Sequence, residues 1–87
     1  MRLDKFLKVS RVIKRRTVAS EVCRAGRVSI NGRPAKPGTT VKPGDILEIA
    51  FGSGRSRIRI LSVKETVRKE EAAGLFEILA GDTGDQP

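Results

Sequence analysis

The residues with the most evident chemistry in this chain are its cations, and they are unevenly spread. Arg2, Lys5 and Lys8 recur at i, i+3 and i+6. Arg11, Lys14, Arg15 and Arg16 follow as four cations in six residues, and Arg16, Ser20 and Arg24 stand at i, i+4 and i+8. Arg27, Arg33 and Lys36 complete the set. Residues 1–36 carry 11 Lys and Arg against 2 acids, a net charge of +9, whereas residues 37–87 carry 7 against 8, a net charge of −1. Such side chains make charge-assisted hydrogen bonds to phosphate oxygens, with the planar Arg fork adding orientation. A solvated arginine is the plain reading of any one of them. Clustered cations repel one another without a counter-charge, however, and a one-sided basic field points to a polyanionic partner.

Other chemistries lack their residues. The chain has no histidine, which removes the commonest general base and metal ligand. Its single cysteine, Cys23, allows neither a zinc-site spacing nor an intrachain disulfide. Gly52-Ser53-Gly54 lacks the Gly-Lys-Ser/Thr that would make it a phosphate loop. The carboxylates are scattered and mostly beside Lys or Arg. No catalytic residue, metal or cofactor is therefore expected. There is no Trp or Tyr, and the three Phe are expected in the core, so base-stacking platforms have no material. Recognition of a nucleic acid would run through phosphates, riboses and helical shape.

The elements that must position these cations can be read from periodicity. Leu3, Phe6 and Leu7 fall on one arc of a helix over residues 2–8, which leaves Arg2, Lys5 and Lys8 on another. The segment is too short to be helical alone, so its apolar arc must dock. Asp4 suits the positive end of the helix dipole and is placed to orient a neighbouring arginine. Val12 and Ile13 are expected to anchor the connection. A second helix over residues 16–25 has an apolar arc of Val18, Ala19, Val22, Cys23 and Ala25, with Thr17 as one possible cap and Gly26 as the left-handed terminator. Cys23 on that arc reads as a packing residue. Val28 and Ile30 then alternate with Arg27 and Ser29, and Asn31-Gly32 is a type I′ hairpin signal. Pro34 confines the returning strand to a short or edge position.

Beyond residue 36 the pattern is loop, then strand. Pro37-Gly38 and Pro43-Gly44 suit type II turns. Residues 45–51 read as a strand with Leu47, Ile49 and Phe51 on one side, followed by a flexible turn at 52–54. Residues 56–63 read as another strand with Ile58 and Ile60 inward, and the change of parity at Leu61 and Val63 suggests a bulge or a two-sided strand. A short helix over 66–73 ended by Gly74 and a last strand over 75–79 complete the expected fold, with 81–87 as a disordered tail. The length of 87 residues and the patterned 38% apolar content fit one folded domain, residues 1–80, with a modest core. With no spanning segment or signal pattern, no membrane partner is expected and the cytoplasm is the expected location.

The order Arg2-Leu3-Asp4-Lys5-Phe6-Leu7, Ser10-Arg11, Arg15 with Ala19 and Val22, Gly26-Arg27-Val28-Ser29-Ile30-Asn31-Gly32 and Val41-Lys42-Pro43-Gly44-Asp45-Ile46 resembles the S4-type RNA-binding domain over roughly residues 1–50. The resemblance implies an α+β fold in which an N-terminal helix pair packs on a small bent, mainly antiparallel sheet and structured RNA lies against the helices. In length and in the 63–75 segment the chain is most similar to the small stand-alone bacterial members of ribosome-associated quality control. That likeness implies, as partners, large-subunit ribosomal RNA, the large ribosomal subunit, the peptidyl-tRNA carrying a stalled chain, and a nascent-chain tailing factor. The expected contacts are Arg2, Lys5, Arg11, Lys14, Arg15 and Arg16, with Lys8, Arg24, Arg27, Arg33 and Lys36 in support. Two alternatives differ in class. One is a DNA-binding helix-turn-helix protein, although the second helix offers no Asn or Gln for base reading. The other is a protein-interaction adaptor using Glu65, Glu70, Glu71 and Glu77, which a solvated acidic face would explain as well.

Overall fold

The computed structural model describes residues 1–51 and 54–81. The chain opens with α1, Leu3–Val9, and α2, Arg16–Arg24. Leu3, Phe6 and Leu7 are fully buried, as the amphipathic pattern requires, and Val12 and Ile13 from the connection join the same core. The N-terminus is stitched to a loop. Leu3 N donates to Thr39 O at 2.8 Å, Asp4 N to Pro37 O at 3.1 Å and Val41 N to Met1 O at 2.9 Å. A seven-residue helix needs such tertiary support, because nucleation alone is unfavourable.

Five antiparallel strands form one sheet in the order β2-β1-β3-β4-β5, with β1 at Val28–Ile30, β2 at Arg33–Pro34, β3 at Ile46–Phe51, β4 at Gly54–Ile60 and β5 at Phe76–Gly81. Asn31 and Gly32 both adopt left-handed φ, +51° and +84°, and turn β1 into β2 as a type I′ hairpin demands. Pro34 sits in the edge strand, where its missing N–H leaves no ladder bond unmade. Asp45 is buried and ties this hairpin to the next turn: it accepts from Asn31 Nδ2 at 3.1 Å and from Lys42 N at 3.0 Å. The inner face of the sheet presents Val28, Leu47, Ile49, Ile58 and Ile60 to the two helices. The opposite face of β1, β3 and β4 carries Ser29, Glu48, Ala50, Arg55, Arg57 and Arg59.

Several expectations are corrected. Arg2 precedes α1 as its extended N-cap and lies outside the helix. Thr17 does not cap α2, which starts at Arg16 after an extended Arg15. Val18 and Ala25 are exposed, because α2 is covered only along its Ala19–Cys23 stripe. Gly44 has φ +94°, as a type II turn requires, but Gly38 lacks a positive φ, so Pro37-Gly38 is a different turn. β4 ends at Ile60, and the irregularity lies between Arg57 and Ile58 opposite β5 rather than near Leu61. The helix expected over 66–73 is a 3-10 helix at Lys69–Leu75, seated by Ala72 and Leu75. The last strand runs on to Gly81, so the expected tail shortens, and its residues 82–87 lie outside the described residues, as do Gly52 and Ser53 of the 52–54 turn.

Candidate nucleic-acid interface

Asp4 is the centre of the basic N-terminal surface. Its side chain is only 5% exposed, yet it accepts from two arginines that reach it from outside. Arg2 Nε donates to Oδ1 at 3.2 Å and Nη2 to Oδ2 at 3.4 Å, while Arg16 Nη2 lies 3.5 Å from Oδ1. The Lys5 backbone N–H adds a bond of 2.8 Å, as expected in the first turn of a helix. Burial alone would raise the Asp4 pKa. The Arg2 hydrogen bonds, the charges of Arg16 and Arg2 and the Lys5 N–H outweigh it, so the carboxyl titrates below its ordinary 3.8 and stays ionised.

The arginines themselves remain available. Their side chains are 57% exposed for Arg2 and 48% for Arg16. Each spends one edge of its fork on Asp4 and keeps further donors for solvent or a ligand. The Arg2 guanidinium also lies over Gly38, where an added Cβ would come within 3.6 Å of it. Two segments remote in sequence, residues 37–40 and α2, thus fix how the pair is presented.

A second group surrounds a notch of about 240 Å³ between the end of α1, the connection and residues 65–67. Lys8, Arg11 and Lys14 line it, with Glu65 and Thr66 opposite and Val9 and Val67 also in its wall. Arg11 has φ +64°, a left-handed conformation uncommon for a non-glycine residue. Lys5 is half-buried and paired with Glu65, sixty residues away, so it is not the freely outward cation expected. That contact holds the exposed Glu65 carboxyl below its ordinary value.

The predicted cations therefore divide. Arg2 and Arg16 converge on Asp4, while Lys8, Arg11 and Lys14 converge on the notch with Lys5 beside it. Arg15, the residue before α2, is exposed next to Arg16. Of the supporting residues, Arg24 is exposed at the last turn of α2, Arg33 in β2 and Lys36 in the following turn, and none of the three lines the notch or pairs with Asp4. Arg27 belongs to the opposite face of the sheet. Two contacts were missed in the sequence: Gly38 beneath Arg2, and the pairing with Lys5 of Glu65, which the sequence marks only as an adaptor residue. Neither has a local signal, because both act across the fold. Cys23 packs as expected. Burial, and then the Asp4 charge, push its thiol up to about 11, so it stays protonated. Among the described residues no group of acids, cysteine and histidine could hold a metal ion. Among the described residues no helix is long and apolar enough to cross a membrane.

The S4 domain model matches residues 1–47, the span that contains both cation groups apart from Glu65 and its neighbours. A protein of Halalkalibacterium halodurans named RQC P-site tRNA stabilizing factor is 63% identical over 78 residues, covering 90% of this chain and 89% of that one. Its namesake in Bacillus subtilis is 56% identical over 79 residues, covering 91% and 92%. Among solved structures, the trimeric heat shock protein 15 of Vibrio cholerae superposes with a TM-score of 0.84 at 32% identity, over 92% of this chain and 82% of that one. The chain belongs to the S4 domain family, and within it to the RQC P-site tRNA stabilizing factors.

Proposed function

We propose that this protein is a non-catalytic RNA-binding factor of ribosome-associated quality control, active in the cytoplasm, that engages ribosomal RNA of the large subunit and the P-site peptidyl-tRNA of a stalled chain. The observation that carries the reading is the buried Asp4 carboxylate, which fixes Arg2 and Arg16 at the surface with their outer donors free. A guanidinium already held in one orientation loses less entropy when it grips a phosphate. Arg15 beside Arg16, and Lys5, Lys8, Arg11 and Lys14 around the notch, extend the contact along the backbone of a structured RNA. By steadying the tRNA, the protein would let a tailing factor extend the nascent chain. The names of the relatives, each a P-site tRNA stabilizing factor, support this role.

The decisive experiment pairs binding with folding. If about five phosphates are contacted, log affinity for purified large subunits should fall with log salt at a slope of roughly −3.5 to −4.5. Arg16→Gln should sharply weaken cosedimentation with large subunits and leave Tm within about 4 °C of the parent, because Arg16 is half-exposed and Arg2 still answers Asp4. Equal loss of folding and binding would make Arg16 a structural residue and remove the basis of this reading.

A further inference from the structure

The open face of the sheet carries a second set of arginines. β4 reads Gly-Arg-Ser-Arg-Ile-Arg-Ile, and its period-two alternation buries Ser56, Ile58 and Ile60 while pointing Arg55, Arg57 and Arg59 outward. Residues two apart on a strand stand about 6.6 Å from each other. Three like charges in such a row repel unless something answers them. Glu48 on β3 answers Arg57 at 3.0 Å, and Glu77 on β5 answers Arg59 at 2.9 Å. Arg55 has no such partner among the described residues.

Register supplies the rest. Arg27 O accepts from Ala50 N at 2.8 Å, and Ala50 pairs with Arg55, so Arg27, Ala50 and Arg55 form one row across the sheet. The two arginines lie about 9–10 Å apart across two strand spacings. The small Ala50 between them leaves a groove of about 120 Å³, lined also by Ser29 and Glu48. Arg27 likewise has no carboxylate partner among the described residues. Two exposed arginines thus line one hollow together with Ser29 and the Arg57-paired Glu48, on the side of the sheet away from the helices.

We propose that this open face is a second RNA-contact surface, in which Arg27 and Arg55 grip a backbone phosphate across the Ala50 hollow and Arg57 extends the contact along β4. It deepens the function proposed above and rests on it: a factor with phosphate grips on opposite faces bridges two RNA segments. Charge complementarity selects the occupant, because a four-arginine face with two carboxylates keeps a positive excess. The Glu48–Arg57 and Glu77–Arg59 pairs are exposed and weak, so Arg57 can exchange its carboxylate for a phosphate with little loss.

Native mass spectrometry of the full chain with a short RNA hairpin tests this. The parent should bind two hairpins per chain, R27Q/R55Q one, Arg16→Gln one, and R27K/R55K two. The salt slope of total binding should fall by roughly 0.7–0.9 in R27Q/R55Q, the share of one phosphate, with an unchanged melting curve to exclude misfolding. A parent that never exceeds one hairpin, or an R27Q/R55Q variant that still binds two, overturns the proposal. An Arg16→Gln variant that still binds two while R27Q/R55Q binds one overturns the helix-face reading and leaves the sheet-face one standing. A photoreactive side chain at position 55 should crosslink to RNA on large subunits loaded with tRNA, and crosslinks to ribosomal proteins alone would refute the assignment.

Discussion

Arg2 and Arg16 on one side of the molecule, and Arg57 and Arg59 on the other, are all paired with carboxylates, yet the pairs differ in kind. Asp4 is buried and accepts from both of its arginines, so it acts as a fixed post. Glu48 and Glu77 are 36% and 44% exposed, and each meets a single arginine. A charge removed from water must keep its partners, because losing them leaves it desolvated and unanswered. An exposed pair exchanges its partners for water or ligand at almost no cost. The same residue types therefore build a preorganised arginine pair on the helix side and exchangeable, lightly neutralised pairs on the sheet.

The comparison can be broken at its strongest point. Asp4→Ala should lower stability by about 2 kcal/mol, or about 10 °C in Tm, through lost hydrogen bonds and a vacated buried site. RNA affinity should fall with it although no cation has been removed, which thermal melts and filter binding would record together. If binding survives while stability drops, the post is structural only. Acid should act on the same group. Because the folded-state pKa of Asp4 lies below 3.8, its contribution is complete above that value and disappears as pH falls through the folded-state one. Denaturant titrations of parent and Asp4→Ala should therefore differ most above pH 3.8 and draw together as the pH falls below it.

Smaller effects belong to the exposed side. Glu48→Gln should shift stability by less than about 0.5 kcal/mol, and should strengthen RNA binding a few-fold at low salt by freeing Arg57, an effect that higher salt erases. Smallest of all, Gly38→Ala should leave Tm within about 2 °C and RNA affinity unaltered, because the new methyl group meets Arg2 at ordinary contact distance. A marked loss of affinity there would show that Arg2 needs more room than its resting position takes.

Local physics was legible in the sequence. Leu3, Phe6 and Leu7, the Asn31-Gly32 turn, Gly26 and the edge placement of Pro34 follow from periodicity and backbone sterics, and the structure bears them out. Val18 and Ala25 misled because a helical arc says which way residues point, not how far the neighbouring layer extends. The partition of the cations was hidden for a similar reason. Lys5 meets Glu65, Arg16 meets Asp4 and Arg55 lines up with Arg27 only after the chain has folded back on itself. Net charge by segment located the helix-side cluster but concealed the sheet-side one, because the acids of the same segment cancel Arg55, Arg57 and Arg59 in the count although only Glu48 and Glu77 pair with arginines of that face.

Arg11 carries a consequence of its own. Its backbone sits at φ +64°, where a side chain of this handedness crowds its own carbonyl by roughly 1 kcal/mol and glycine would rest at ease. The tight corner after α1 aims a long cation at the rim of the notch, and the discomfort of that corner is retained as long as the cation is. A glycine there would make a sturdier protein without that cation, which, on the function proposed above, sets thermal robustness and RNA retention against each other at a single residue.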